Sequence, residues 1–349
     1  MPLVSVGNTK EINDAVVAGT DHCLIRETGE PGEIYESFLK KYMRWGWVGT
    51  LQENPDFAAM GMSREFCRTR VTTSPDNMGD DKGTETHEIG YIVYRNECLK
   101  NAENVPMVLC FHGGGDSAMH IAQVSSWYKV ALDHNFILVC VEDHLNSTAT
   151  EMKELIAQLT EKYPVDRSRI YASGFSMGGC KSWDLYQEYP ELFAGLAPMS
   201  ATFDVGLNLY GQPAPKAINR SIPVPVFYVG GEQSPLPELP FQAAKCRDRM
   251  EYILQVNRAT AAYDVSFEQR ETWENKIQGI NGDETEKIRD EAREAVLTLE
   301  KFRSEDGEIY TVFGSVDNQG HECRYHSCEQ AWLFLSRFRR NEEGKIVRI

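Results

Sequence analysis

The sequence predicts an α/β fold in which a mostly parallel central sheet carries helices on both faces. From about residue 88 onward, short β-rich runs alternate with helical patterns. Several runs are apolar on both alternating faces, as strands buried on both sides of a sheet are. Short links between alternating strands and helices favour parallel strands joined by crossover helices. The predicted strands lie at 90–94, 107–111, 136–141, 169–174, 194–199, 224–229 and 309–313, and the predicted helices lie at 117–133, 150–162 and 177–189.

Two further helices are predicted between the strands at 224–229 and 309–313. One covers roughly 239–257, and the other, which is rich in charged residues, covers roughly 283–303. In both segments apolar residues recur at the spacing of one face of a helix. The sequence thus predicts a helical insertion at 235–305, before the last strand.

Residues 1–86 lack the alternating pattern. Pairs of apolar residues recur every four positions between 34 and 43, which predicts an amphipathic helix, and the polar, turn-rich segment 74–83 predicts a loop. We see no internal repeat and no flexible linker. We therefore expect one main domain at 87–349 and an N-terminal extension at 1–86 packed on it.

Composition limits the classes of partner. The 349 residues carry a formal net charge of −16 at pH 7, so the phosphate backbone of a nucleic acid would be repelled. No run approaches the roughly 18 apolar residues that a membrane span needs, and the first residues show no secretory signal pattern. The nine cysteines, with Cys110 and Cys140 inside apolar runs, fit reduced thiols better than a disulfide framework. These features predict a cytoplasmic protein that binds neither nucleic acid nor membrane.

The motif Gly-Phe-Ser-Met-Gly at 174–178 lies between a predicted strand and a predicted helix. This context is the one required for a nucleophile elbow, in which a tight turn lifts a serine hydroxyl clear of the sheet. Glycines two residues before and after the serine are needed because strand and helix pass too closely there for a Cβ atom. The amino terminus of the following helix adds positive potential where an oxyanion would form. Ser176 is therefore the predicted nucleophile.

A second glycine run, His-Gly-Gly-Gly at 112–115, directly follows the predicted strand at 107–111. In the α/β-hydrolase fold the oxyanion loop has this position. Glycines let backbone N–H groups approach the substrate oxygen without a side chain in the way. We predict one oxyanion donor from Gly114 or Gly115 and the other from the amide of Met177. His112 precedes the loop and is predicted to be structural.

The segment Gly-His-Glu at 320–322 follows the last predicted strand and precedes a helix that begins near His326. An α/β-hydrolase takes its general base from this loop, in the chain order serine, acid, histidine. His321 is predicted to accept the proton of Ser176 and later to return it to the leaving alkoxide. His326, at the start of the helix, is the alternative.

His321, Cys323, His326 and Cys328 together also resemble a metal-binding cluster. Structural zinc usually joins ligand pairs across a longer loop or two elements, and four ligands this close together at the start of a helix rarely converge. We therefore predict no metal site.

The acid of the triad is expected after the strand at 224–229. Glu232 lies nearest the end of that strand and is the first choice, Glu238 is the second, and Asp204, in the loop after the preceding strand, is the third. The role of this carboxylate is to hold the histidine in one tautomer and to stabilise its protonated form, so either acidic residue type would serve.

With these motifs, the chain resembles the polyhydroxybutyrate depolymerase and feruloyl esterase group of α/β-hydrolases. The resemblance runs from about 89 to 340 and is carried by the segments 108–115, 165–171, 174–179, 320–321 and 331–334. It implies a serine esterase that needs neither a metal nor an organic cofactor. Members of the group usually carry an aspartate three residues after the glycine that ends the seventh strand, where this chain has Ser234. Many are secreted and have a disulfide near the active site, which this chain does not clearly show, so soluble esters inside the cell are favoured over polymers outside it.

The main hypothesis is therefore a serine esterase that hydrolyses a small carboxylic ester through an acyl-enzyme. A serine peptidase on the same fold is one alternative, although no propeller or paired-glutamate motif precedes the domain. A non-catalytic binding protein that has lost its acid is another, supported by Ser234 and opposed by the presence of Ser176 and His321.

Overall fold

The computed structural model describes residues 55–291 and 293–349, which form a ten-stranded mixed sheet, a two-stranded sheet and the helices around them. The strands of the large sheet are β1 Met62–Thr72, β2 Thr86–Asn96, β3 Val105–Phe111, β4 Ile137–Val141, β5 Val165–Phe175, β6 Gly195–Met199, β7 Val226–Gly231, β8 Glu284–Asp290, β9 Ala295–Arg303 and β10 Ile309–Val316. The small sheet consists of β11 Phe338–Arg340 and β12 Ile346–Arg348. The α-helices are α1 Ala118–Val124, α2 Trp127–His134, α3 Ala149–Lys162, α4 Met177–Glu188, α5 Ala244–Val256 and α6 Tyr325–Leu335.

The order of the large sheet is β1-β2-β4-β3-β5-β6-β7-β10-β9-β8. Neighbouring strands from β4 to β10 in this order pair in parallel, whereas β1, β2, β9 and β8 pair antiparallel at the two edges. The first eight strands in this order have the arrangement of the α/β-hydrolase fold, which confirms the predicted fold class. Because the carboxyl ends of parallel strands meet at one edge, the loops that follow β3, β5, β7 and β10 converge there.

Side chains of β3 alternate between two hydrophobic cores, one on each face of the sheet. Met107, Leu109 and Phe111 belong to the core that α3, α4 and α5 cover. Val108 and Cys110 belong to the core that α1, α2 and α6 cover. The strand is apolar throughout because both of its faces are buried, as the sequence predicted.

The predicted helix at 283–303 is wrong, because this segment contains the antiparallel strands β8 and β9. On β9, Ala295, Leu297 and Leu299 are buried at every second position, which is the period of a strand. The apolar residues at positions 288, 292, 295, 296 and 299 also fit one face of a helix. Over so few apolar residues, the spacing of a helix face and that of a strand face cannot be told apart. The insertion at 235–305 is therefore a single α-helix, α5, followed by a β-hairpin that extends the sheet beyond β10.

The segment predicted as an N-terminal extension contributes an edge strand to the main sheet. β1 pairs along its whole length with β2, so residues 62–72 are part of the sheet. The amphipathic helix predicted between 34 and 43 lies outside the described residues. Where the extension ends and the main domain begins stays a prediction.

The predicted helix at 117–133 is divided into α1 and α2. Ser126, which precedes α2, has a φ of 55°, a left-handed conformation that does not continue a right-handed helix. Among the described residues, no helix is long and apolar enough to cross a membrane.

Candidate active site

Ser176 lies in the sharp turn between β5 and α4, with φ 54° and ψ −119°. Such a conformation is unusual for a residue with a side chain and marks a strained turn. The turn is held by the Ser176 amide, which donates to the Met199 carbonyl at 3.0 Å. The hydroxyl is thereby presented at the carboxyl edge of the sheet, and Met177 takes the first helical position.

The glycines around this serine are required by close backbone contacts. A Cβ atom on Gly174 would lie 2.2 Å from the carbonyl oxygen of Gly178, and one on Gly178 would lie 2.1 Å from the carbonyl oxygen of Phe111. Real Cβ atoms do not approach backbone oxygens so closely. The glycine spacing is thus explained by the packing of α4 against β5 and β3.

The glycine run after β3 lies directly against the elbow. A Cβ atom on Gly114 would lie 2.5 Å from the sulfur of Met177, and Gly115 adopts a φ of 73°. Met177 has no carbonyl four residues earlier within its helix, so its amide is one of the four that a helix leaves without an internal partner. The structure therefore places Gly114 against Met177, next to Ser176, and the oxyanion role of these amides stays a prediction.

Two buried histidines support the glycine run from below. The ring nitrogens of His112 lie 2.7 Å from the Gly113 carbonyl and 2.8 Å from the Glu142 carbonyl. His144 packs edge-on against His112, and burial lowers the pKa of His144 well below its usual value. His112 points under the loop, which agrees with its predicted structural role.

Glu142 ties the two ends of this loop together. Its carbonyl faces His112, and its carboxylate accepts the amide of Ala118, the first residue of α1, at 2.6 Å. The side chain is 1% exposed, and burial raises the pKa of Glu142 to about 7. The role of Glu142 could not be predicted from the sequence, because nothing in its local pattern distinguishes it from any other polar residue at the end of β4.

His321 lies in the loop between β10 and α6, within hydrogen-bond distance of the elbow serine. Its Nε2 is 2.8 Å from Ser176 Oγ, and its ring packs 4.7 Å from the ring of Phe175, centroid to centroid. The alternative, His326, lies in the first turn of α6. The structure thus brings together the serine and the histidine that were the first choices.

The carboxylate next to His321 belongs to Glu238 and not to Glu232. Glu238 Oε1 is 2.6 Å from His321 Nδ1. Glu232 instead accepts a hydrogen bond from the Ser315 hydroxyl at 2.8 Å, and burial raises its pKa. Asp204, the third choice, is exposed. The second choice from the sequence is therefore the one that meets the histidine.

Backbone geometry explains why Glu232 does not reach His321. Its amide donates to the Val316 carbonyl at 3.0 Å, which prolongs the pairing of β7 with β10. Its side chain accordingly reaches Ser315, on β10. The chain then turns, with the Ser234 amide donating to the Gly231 carbonyl at 3.3 Å, and the return of this loop brings Glu238 to the histidine.

Glu238 is 1% exposed and is held at both its carboxylate and its main chain. One carboxylate oxygen accepts the Gly231 amide at 2.7 Å, and the other accepts the Ser234 hydroxyl at 2.6 Å. The Glu238 carbonyl accepts the Tyr228 hydroxyl at 2.8 Å and the Arg249 guanidinium at 3.2 Å. None of these partners is recognisable in the sequence, because they come from β7, the following loop and α5.

The cysteines near His321 pack against each other and against a methionine. Cys323 and Cys328 have their sulfurs 3.5 Å apart, and the Cys323 sulfur is 3.4 Å from that of Met199. Burial raises the pKa of Cys328 well above its usual value. In the part of the chain that the structure describes, no three histidine, cysteine or acidic side chains are grouped so that they could hold a metal ion.

Comparison with known proteins finds esterase-like relatives that match only part of the chain. No family model matches the sequence. A bifunctional acetylxylan esterase/xylanase from Neocallimastix patriciarum is 28% identical over 139 residues, which are 37% of this chain and 19% of the relative. A poly(3-hydroxyalkanoate) depolymerase C from Paucimonas lemoignei is 23% identical over 116 residues, 28% of each chain. The chain therefore spans under a third of the length of these two relatives.

A solved structure gives a likeness over a larger share of the chain. The acetyl xylan esterase from Aspergillus awamori is similar with a TM-score of 0.48 and 13% identity, over 77% of this chain and 99% of that one. The esterase and depolymerase relatives confirm the resemblance predicted from the sequence. By its sheet order the chain has the α/β-hydrolase fold, and by these sequence matches it resembles an acetylxylan esterase and a polyhydroxyalkanoate depolymerase.

Proposed function

We propose that the protein is a serine esterase that hydrolyses a small carboxylic ester through an acyl-enzyme intermediate. The observation that carries this proposal is a continuous hydrogen-bonded chain of three side chains. Ser176 Oγ is 2.8 Å from one nitrogen of His321, and the other nitrogen is 2.6 Å from Glu238. A nucleophile, a base and an orienting acid at these distances can perform acyl transfer.

In the first half of the reaction, Ser176 attacks the carbonyl carbon of the ester while His321 Nε2 takes the hydroxyl proton. Glu238 accepts the Nδ1–H hydrogen bond, which fixes the tautomer and stabilises the protonated ring. The amides of Met177 and of Gly114 or Gly115 face the oxygen that gains negative charge. When the tetrahedral intermediate collapses, its bond to the alkoxide breaks, and the alkoxide takes the proton from His321.

In the second half, water replaces the alcohol. His321 takes a proton from the water as the water oxygen attacks the acyl carbon, and the same two amides face the second oxyanion. Collapse breaks the bond to Ser176 Oγ, which regains its proton from His321, and the carboxylic acid leaves. Every proton is returned, so the site needs no co-reactant other than water.

The non-catalytic alternative depended on the absence of an acid at position 234, and Glu238 removes that reason. Its carboxylate is buried beside the histidine, where an unused charge would be costly. The peptidase alternative gains no support from the described residues, because none of the contacts found is specific to a peptide amine.

The test is hydrolysis of a panel of nitrophenyl esters of increasing acyl length by wild type and by Ser176→Ala. We expect wild-type turnover to fall to the uncatalysed background in the variant, because the acyl group has no nucleophile to receive it. Ser221→Ala, at an exposed serine, is the control and should match wild type. A fluorophosphonate should phosphonylate Ser176 of wild type with loss of fluoride, which adds the mass of the reagent less that of HF. Equal hydrolysis by wild type and Ser176→Ala would refute the proposal.

A cytoplasmic location and a soluble ester as substrate form the finer part of this proposal. Free thiols at the eight cysteines among the described residues support it, because disulfides are rare in reducing compartments. Alkylation of the native protein directly on cell lysis, followed by mass spectrometry, should find these thiols reduced. Disulfide-linked peptides from freshly lysed cells would contradict the location.

A further inference from the structure

The hydroxyl of Ser234 shares a carboxylate oxygen with the histidine of the site. Ser234 Oγ donates to Glu238 Oε1 at 2.6 Å, and His321 Nδ1 lies 2.6 Å from the same oxygen. The position of this oxygen therefore depends on two hydrogen bonds that approach it from different residues.

The direction of the Ser234 hydrogen bond follows from its second contact. The Leu236 amide lies 3.1 Å from Ser234 Oγ, and an amide N–H can only donate. The hydroxyl oxygen accepts that bond, which leaves its proton for the Glu238 carboxylate. A charged acceptor makes such a bond stronger than one between neutral groups.

The length of the glutamate side chain explains why its carboxylate needs to be restrained by this hydrogen bond. A glutamate has three side-chain torsions to fix, and fixing them costs conformational entropy. The main chain of Glu238 is anchored independently, because its amide donates to Gln242 Oε1 at 2.7 Å and its carbonyl accepts from Tyr228 and Arg249. The carboxylate is held by the Gly231 amide at 2.7 Å and by Ser234.

We propose that Ser234 is a positioning residue for the histidine: it holds Glu238 Oε1 in line with His321 Nδ1. The inference rests on the proposed esterase function but adds a residue that takes no direct part in the chemistry. The Gly231 amide holds the other oxygen through a single hydrogen bond, about which the carboxylate would remain free to pivot. Ser234 removes that freedom.

Ser315 provides a matched control in the neighbouring strand. Its hydroxyl donates to Glu232 at 2.8 Å, so Ser315→Ala also removes one serine–glutamate hydrogen bond. Neither Ser315 nor Glu232 is hydrogen-bonded to His321 among the described contacts. The two serine-to-alanine changes therefore differ in whether the glutamate orients the histidine.

The experiment measures steady-state hydrolysis of a nitrophenyl ester by Ser234→Ala, Ser234→Thr and Ser315→Ala. We expect Ser234→Ala to lower kcat about tenfold with KM within about twofold, because one hydrogen bond to a charged group is lost. Ser234→Thr keeps the hydroxyl and should restore most of the rate, and Ser315→Ala should stay near wild type. If Ser234→Ala does not fold, Ser234→Cys, a weaker donor of similar size, should give an intermediate kcat.

A double variant tests whether Ser234 acts through the glutamate. In a Glu238→Gln background, Ser234→Ala should cause little additional loss of kcat, since the oriented carboxylate is already absent. Losses that multiply independently, or a kcat of Ser234→Ala equal to wild type, would overturn the proposal while leaving the esterase function intact.

Proton NMR of the resting protein gives a readout that does not need turnover. The proton between His321 Nδ1 and Glu238 should give a downfield resonance in wild type, and Ser234→Ala should broaden or shift it while Ser315→Ala leaves it in place. An inactive wild type would refute the esterase function, and this resonance would still decide the role of Ser234. An identical resonance in wild type and Ser234→Ala would overturn that role.

Discussion

The two halves of the candidate site are held in place by different kinds of contact, close backbone packing in one and hydrogen bonds in the other. On the nucleophile side, Ser176 is placed by backbone packing, because Gly174 and Gly178 lie where a Cβ atom would be 2.2 Å and 2.1 Å from carbonyl oxygens. On the acid side, Glu238 is placed by hydrogen bonds from Gly231 and Ser234 and by contacts of its carbonyl. One half thus depends on the absence of side chains and the other on their presence.

This difference predicts that substitutions in the two halves affect different properties of the protein. A change in the nucleophile half should separate packed elements and lower the free energy of unfolding. A change in the acid half should leave the fold intact and lower the rate, because side-chain hydrogen bonds contribute little net stability.

Apart from loss of the nucleophile itself, the largest effect is expected for Glu238→Gln. The amide keeps the size of the side chain but not its charge, so it does not stabilise the protonated His321 ring and can favour the wrong tautomer. Loss of the acid in a serine triad costs up to about 10⁴-fold in kcat, and we expect a fall of about 10³-fold or more. Hydrolysis of nitrophenyl acetate and thermal unfolding should be measured together, and unfolding should change by only a few degrees.

Glu232→Gln is the control for this variant. It removes the charge of the glutamate bound to Ser315, 2.8 Å from its hydroxyl, and should leave kcat within about twofold of wild type. If kcat fell by similar factors in Glu232→Gln and Glu238→Gln, the acid side would not depend on one carboxylate. The contrast between the two halves would then fail.

The next largest effect is expected for Gly178→Ala, on the nucleophile side. Its new methyl group would lie 2.1 Å from the Phe111 carbonyl oxygen, so α4 and β3 must move apart. Overpacking costs about 1–3 kcal/mol and occasionally more. A clash with backbone this close should lie at the upper end of that range, measurable as a lower urea midpoint. The expressed protein should be poorly folded or markedly less stable.

Gly61→Ala separates this steric effect from backbone strain. Gly61 has a φ of 73°, and a methyl group added there would meet no other atom within 4 Å, so the change should cost only about 1 kcal/mol. Equal losses of stability at Gly61 and Gly178 would show that close packing is not what the elbow glycine provides.

The same contrast explains what could be predicted from the sequence. Ser176 and the glycines around it occupy five consecutive positions, so their spacing alone indicates a turn that only glycine permits. His321 follows the last parallel strand at a position that the fold makes recognisable. In both cases the recognisable sequence pattern lies within a few residues of the site.

The acid could not be predicted in this way. The acidic residue nearest to the end of the strand in the sequence need not be the one that the loop places beside the histidine. Glu232 is nearest the end of β7, yet its amide continues the pairing with β10 and its side chain binds Ser315. Glu238 reaches His321 through contacts with Tyr228 and Arg249, the latter on α5. Such contacts appear only when the fold is assembled.

The hairpin of β8 and β9 was missed for a related reason. Apolar positions in 283–303 fit a helical face and a strand face equally well over so short a segment. The pairing of β9 with β10 decided between them, since a strand beside an existing sheet edge buries Leu297 and Leu299 and satisfies its backbone. That edge is a tertiary feature with no signature in the segment itself.

The smallest effect is expected for Glu142→Gln, which tests whether the nucleophile half also depends on a buried charge. Glu142 is 1% exposed, and burial raises its pKa from 4.5 to about 7. The carboxyl group of Glu142 therefore binds its proton more tightly in the folded protein than in the unfolded chain. The stability associated with the protonated form is present below about pH 4.5 and is lost as the pH rises through 7.

The glutamine of Glu142→Gln stays neutral and can still accept the Ala118 amide, which lies 2.6 Å from the carboxylate in wild type. We therefore take the free energy of unfolding of the variant minus that of wild type, measured with urea. This difference should increase by about 1–3 kcal/mol between pH 5 and pH 8. Asp184, whose pKa burial raises to about 6, is present in both proteins and cancels from the difference. A difference independent of pH would mean that Glu142 is already ionised in the folded protein at neutral pH. The oxyanion loop would then depend on a buried carboxylate, as the acid half does.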